Sequence, residues 1–91
     1  METKRDYTEK LAAKLLEWDE RLDELKAMAE GRKAEERLRY RQQVLELRDK
    51  REQGAVLLNR LHEASGDSWL EIKKNADRLL DEVKRTFKRA A

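Results

Sequence analysis

Two runs of apolar residues, spaced in alternating steps of three and four, constrain what this chain can fold into. The first run is Leu11, Leu15, Trp18, Leu22, Leu25 and Ala29; the second is Tyr40, Val44, Leu47, Arg51, Gly54, Leu58 and Leu61. Such a period gives each helix one narrow apolar seam, and a narrow seam needs a partner helix to cover it. The chain is built to pair helices.

Composition narrows the fold further. The sequence has 91 residues, of which 38% are hydrophobic and 46% charged, too little apolar surface for a large globular core. The regular seams and the small net charge of +2 separate it from a disordered polyelectrolyte. There is no proline and there are only three glycines, Gly31, Gly54 and Gly66, so helix is the default elsewhere. The lack of cysteine removes disulfides, thiolate metal sites and redox switches, and suits a reducing cytoplasm. No run approaches the roughly 20 apolar residues that span a bilayer, and Met1 to Lys10 is too polar for a signal peptide, so a cytoplasmic protein is expected.

Charge falls in blocks. Met1 to Gly31 carries 6 basic and 9 acidic residues and Arg32 to Arg51 carries 8 and 4; Glu52 to Ile72 carries 1 and 4, and Lys73 to Ala91 carries 7 and 3. The alternating sign favours antiparallel folding back of neighbouring blocks.

The first helix is expected to begin near Thr3, which with Asp6 resembles a capping box in which Asp replaces the usual Glu. Where it ends is the central question. Gly31 suits a helix terminus. Against it, the stretch from Arg32 to Leu38 holds only strong helix formers and none of the Asn, Asp, Pro or Ser of a turn. Ala29 and Tyr40 are also separated by a stutter that a continuous helix can absorb. Two architectures follow: a hairpin bent between Gly31 and Leu38, or one straight helix over residues 4–64, roughly 90 Å long, paired antiparallel with a second chain. Helix propensity favours the straight helix.

Both architectures share a register in which paired residue numbers sum to 69, matching Leu11 with Leu58, Leu15 with Gly54, Trp18 with Arg51, Leu22 with Leu47, Leu25 with Val44 and Ala29 with Tyr40. Sums of 62 and 76 compete. The register of 69 gives Trp18 a guanidinium neighbour in Arg51 and sets Lys33 opposite Glu36.

A second break is better marked. Ser65-Gly66-Asp67-Ser68 has turn chemistry, and Ser68 with Glu71 fits the capping-box pattern, so a helix over about 68–89 should begin near Ser68 or Trp69. Its seam is Trp69, Ile72, Ala76, Leu79, Val83 and Phe87, widened by Leu80. Folding back, it completes a three-helix bundle.

Chemical motifs are lacking. His62 has no second ligand at metal-binding spacing, since Asn59 stands where a Glu-x-x-His pair would need its carboxylate. The glycines are too dispersed for a phosphate loop, and Ser65, Ser68 and Thr86 have no base placed by any motif. No enzyme activity, cofactor or metal is expected. The acidic set Glu17, Asp19, Glu20, Asp23 and Glu24 reads as a solvated face rather than a cation site. Lys84, Arg85, Lys88 and Arg89 around Phe87 offer a basic patch for an anionic membrane surface or nucleic acid, although cations near a helix C-terminus also complement the macrodipole.

The segment Leu61-His62-Glu63-Ala64-Ser65-Gly66-Asp67-Ser68-Trp69, preceded by a charged heptad region with Leu15 three residues before Trp18, resembles a family of small bacterial coiled-coil proteins. Its members carry stress-response or uncharacterised labels. The resemblance implies an all-helical fold and brings no catalytic residues; Gly31 and Gly54 depart from its pattern. Taken together, the expectation is an all-α antiparallel coiled coil or three-helix bundle in a single domain over residues 1–91. It acts as a structural or interaction protein and self-associates, as an antiparallel homodimer, through Leu11, Leu15, Trp18, Leu22, Leu25, Tyr40, Val44, Leu47, Arg51, Leu58 and Leu61. The alternative is electrostatic binding through the basic third helix.

Overall fold

The computed structural model describes residues 2–31 and 33–90, without the side chains of the last two of these. It is a bundle of three helices, 52 × 19 × 18 Å: α1 (Lys4–Glu30), α2 (Ala34–Glu63) and α3 (Trp69–Ala90). The all-α three-helix architecture expected from the seams is what forms.

The start of α1 follows its sequence signal. The Asp6 amide donates to the Thr3 hydroxyl at 3.1 Å and the Thr3 amide donates to the Asp6 carboxylate at 3.1 Å, a reciprocal capping box. The end of α1 settles the choice between the two architectures. The chain turns between Glu30 and Ala34, and α2 lies back along α1 as an intramolecular hairpin. The preference for a straight helix is thereby corrected. Helix propensity favoured continuation by about 1 kcal/mol or less per residue. Both architectures bury Leu22, Leu25, Val44 and Leu47 in the same register, but folding back does so within one chain and avoids the cost of bringing two chains together, about 4–15 kcal/mol. That saving outweighs local propensity. The cost is visible at α2, whose N-cap, Lys33, makes no side-chain capping bond. Lys33 and Glu36 both sit at this one helix end, so they do not face each other across a seam.

The register of 69 is the one observed. A Cβ placed on Gly54 would lie 2.6 Å from Leu15 Cδ2 and 3.2 Å from Trp18 Cζ3, so the missing side chain is what lets α2 approach α1 here. Arg51 departs from expectation by one residue. Its guanidinium donates to both carboxylate oxygens of Asp19, at 3.0 and 3.2 Å, rather than stacking on Trp18, because a bidentate charge-assisted pair outweighs a ring face.

The second turn falls where its residues placed it. Gly66 has φ +58°, a left-handed conformation that favours glycine, and α3 starts at Trp69. The Ser68 hydroxyl, expected to cap α3, instead donates back to the Ser65 carbonyl at 2.7 Å, while Glu71 pairs with Lys74. Lys4 Nζ donates to the Ala64 carbonyl at 2.6 Å, tying the start of α1 to the end of α2.

The core has two parts. Leu15, Trp18, Leu22, Leu25, Val44, Leu47, Leu79 and Val83 form the larger; Tyr7, Leu11, Leu61 and Ala76 form the smaller, near the turn into α3. Trp69, Ile72 and Phe87 pack at the margins, half buried, with the Arg21 guanidinium 5.9 Å from the Phe87 ring centre.

Candidate functional site

The seam residues named for self-association are used inside the chain. Leu11, Leu15, Trp18, Leu22, Leu25, Val44, Leu47 and Leu61 are buried, and Tyr40, Arg51 and Leu58 are half buried. Any surface for a partner must therefore lie on the outside of the bundle, where three grooves run between the helix pairs.

Two of these grooves flank α3 and are crossed by internal contacts, and each keeps open space: about 580 Å³ between α1 and α3, beside Trp18 and Phe87, and about 420 and 550 Å³ in two stretches between α2 and α3. Between α1 and α3, the Tyr7 hydroxyl donates to the Asp77 carboxylate at 2.6 Å, and the Tyr7 ring lies 6.4 Å from that of Trp69. Burial, and secondarily the hydrogen bond to the charged Asp77, pushes the Tyr7 hydroxyl well above the ordinary tyrosine range. Between α2 and α3, Lys50 donates to Glu82 at 2.8 Å, and that hydrogen bond with its charge holds the Glu82 carboxyl below the ordinary carboxylate range. The Thr86 hydroxyl, buried at the same junction, donates toward the Glu82 carbonyl at 3.1 Å.

The third groove lies between α1 and α2 on the side away from α3, toward the hairpin turn. It is about 540 Å³ in volume, with buried Ala29 and Val44 at its floor, Leu45 at its outer edge, and a rim of Lys26 and Glu30 on α1 and Arg37, Arg41 and Arg48 on α2. None of these three arginines makes an ion pair or side-chain hydrogen bond with a described residue. Leu45 is 63% exposed, and Leu38, seven residues earlier on the same outer stripe of α2, is 60% exposed. On α1, Leu16 is 66% exposed.

The basic patch proposed on α3 is only partly free. Lys84 and Lys88 are exposed and make no ion pair with a described residue, whereas Arg85 is joined to Asp81 at 2.8 Å; the side chain of Arg89 lies outside the described residues. His62 and Glu63 are both exposed at the end of α2. Among the described residues no group of three or more His, Asp or Glu side chains gathers as a metal site, and no helix is long and apolar enough to cross a membrane.

Residue spacing missed the Asp19–Arg51 and Lys50–Glu82 pairs and the arginine-rimmed groove. The α1–α2 pair had a signal in the opposite net charges of the first two sequence blocks. No protein-family model matches the chain, and no curated protein or solved structure is significantly similar to it.

Proposed function

We propose that the chain is a helical interaction module, with no catalytic chemistry of its own, that self-associates. The observation that carries this reading is the set of large apolar side chains left on the outer faces of the hairpin, Leu16, Leu38, Leu45 and Val56, which are at least 50% exposed. Such residues, when they fall on shared faces, fit a contact surface. Pairing through the seams themselves would require two hairpins to open and exchange helices, re-forming the same residue pairs between chains; pairing of closed chains falls to the outer faces. The cysteine-free composition fits a cytoplasmic setting, and the stress-response labels of the family that the Leu61 to Trp69 segment resembles are the one pointer to a process. Sedimentation equilibrium over a concentration series tests the reading: a mass rising to twice that of the chain is expected, and a compact monomer throughout the tens-of-micromolar range would rule it out.

Lys84 and Lys88, exposed and without an ion pair to any described residue, support a second reading, electrostatic binding of an anionic surface by α3. Salt-sensitive binding to vesicles containing phosphatidylserine or to duplex DNA should disappear when Lys84, Arg85, Lys88 and Arg89 become Gln. Absence of binding to either at low salt would remove it.

A further inference from the structure

The hairpin of α1 and α2 has two faces, and α3 covers one. α3 docks by setting Leu79 and Val83 into the core and offering Glu82 to Lys50 of α2. The opposite face has no element upon it, and its charges are sorted by helix. At 100° per residue, Asp19, Asp23, Lys26 and Glu30 of α1 project on this side, as do Arg37, Arg41, Arg48 and Arg51 of α2. The face therefore carries a mainly acidic rail, interrupted by Lys26, beside a basic rail. Among the described residues only Asp19 and Arg51 of this set are joined; Asp23, Lys26, Glu30, Arg37, Arg41 and Arg48 make no ion pair with a described residue.

We propose that this face is the self-association surface and that its occupant is the same face of a second copy, related by a two-fold axis parallel to the bundle. This rests on the reading that the chain self-associates and assigns the surface. Rotation about such an axis lays the acidic rail of each copy on the basic rail of the other, so every contact is made twice. It also keeps each residue at its own height. Because Leu15 lies beside Gly54 and Asp19 beside Arg51, Asp23 comes within one helical turn of Arg48 of the second copy, and Glu30 within one turn of its Arg41; Lys26, between the two acids, also comes within a turn of that Arg41 and is the one like-charge approach. Leu16 and Leu45, exposed in the lone chain, then lie at the margins of the covered strip. Other occupants fit less well. An acidic helix of a different protein, or a phosphate backbone, would satisfy the basic rail but be repelled by Asp19, Asp23 and Glu30 beside it. A second copy matches both.

Charge reversal on the full chain tests this by sedimentation velocity, with helicity checked by circular dichroism. The unaltered chain should dimerise at low salt, with a dissociation constant raised about 10-fold or more in 0.5 M NaCl because the rails are solvent-edged. Asp23→Lys with Glu30→Lys, and separately Arg41→Glu with Arg48→Glu, should each be monomeric. An equimolar mixture of the two should restore a 1:1 dimer, because one rail pair is then reversed on both sides and the other is unaltered. If a reversal unfolds the hairpin, the neutral variants Asp23→Asn with Glu30→Gln and Arg41→Gln with Arg48→Gln should weaken the dimer and flatten its salt dependence. A dimer that survives all these variants, or a mixture that stays monomeric, overturns the assigned face while leaving self-association in place through exchanged seams or another groove. A chain that is monomeric at every concentration overturns both readings. If such a monomer binds an acidic helical peptide or duplex DNA through Arg41 and Arg48, the face belongs to that partner instead.

Discussion

Replacing Gly54 with Ala tests the packing of the hairpin at its tightest point. In an exposed helix interior the change should stabilise by about 1 kcal/mol, since Ala is the better helix former. At Gly54 the new Cβ would stand 2.6 Å from Leu15 Cδ2 and 3.2 Å from the Trp18 ring, where carbon atoms prefer about 3.5–4.0 Å. Relief requires Leu15 to leave its rotamer or the helices to part, and overpacking of this kind costs about 1–3 kcal/mol. Leu15 is itself buried, so it has little room to turn. The two effects oppose each other, and a net loss of up to about 2 kcal/mol is expected, measured by urea unfolding followed at 222 nm. The sharper quantity is the coupling. In a Leu15→Ala background the nearer obstacle is gone and only the Trp18 ring at 3.2 Å is left to give way, so Gly54→Ala should then stabilise by up to about 1 kcal/mol. A double-mutant cycle should therefore give an interaction of about 1–3 kcal/mol. If Gly54→Ala stabilises both backgrounds equally, the two helices do not approach at this point and the register is wrong.

Three further outcomes follow from the same contacts. Gly31→Ala meets no neighbouring atom within 4 Å, so the closed hairpin should tolerate it, with stability to urea unchanged or raised by at most about 1 kcal/mol. Tyr7 is raised in the folded state, so its contribution is complete below the unfolded tyrosine pKa of about 10 and is lost as pH rises above it, by up to about 1.4 kcal/mol per pH unit; Tyr7→Phe should flatten this part of the pH–stability curve. Glu82 is lowered in the folded state, so its contribution is present above the ordinary carboxylate range and lost as pH falls through the depressed value; Lys50→Gln should shrink the drop in melting temperature over that acidic interval.

Much of the fold was legible because its signals are local. The three seams, the Thr3–Asp6 capping box and the glycine turn before Trp69 are each written within a few residues. The turn after Glu30 was not legible in the same way. It has no side-chain cap on α2 to announce it, and it exists because burying Leu22 and Leu25 against Leu47 and Val44 within one chain, without the entropy cost of recruiting a second chain, outweighs the helix propensity of the residues beyond it. Arg51 was placed correctly on the α1–α2 junction, but its partner depended on the reach of a long side chain, which extends past Trp18 to the carboxylate one residue on. The candidate surface was hidden for another reason. Block charges record how many acids and bases a segment holds, whereas the rails depend on which way each one projects, and that is fixed only once α3 has taken the other face.

The hairpin is the claim on which everything else rests, and an intrachain distance tests it most directly. The chain has no cysteine, so Glu9→Cys with Asn59→Cys, both at exposed helical positions, allows clean labelling with two nitroxides. Pulsed electron spin resonance on the labelled chain, diluted in excess unlabelled protein, reads only distances within one chain. The closed hairpin brings these positions side by side, and a distance below about 30 Å is expected after allowing for the label arms and two helix radii. One straight helix would separate them by about 75 Å at 1.5 Å per residue, and that distance would contradict the account.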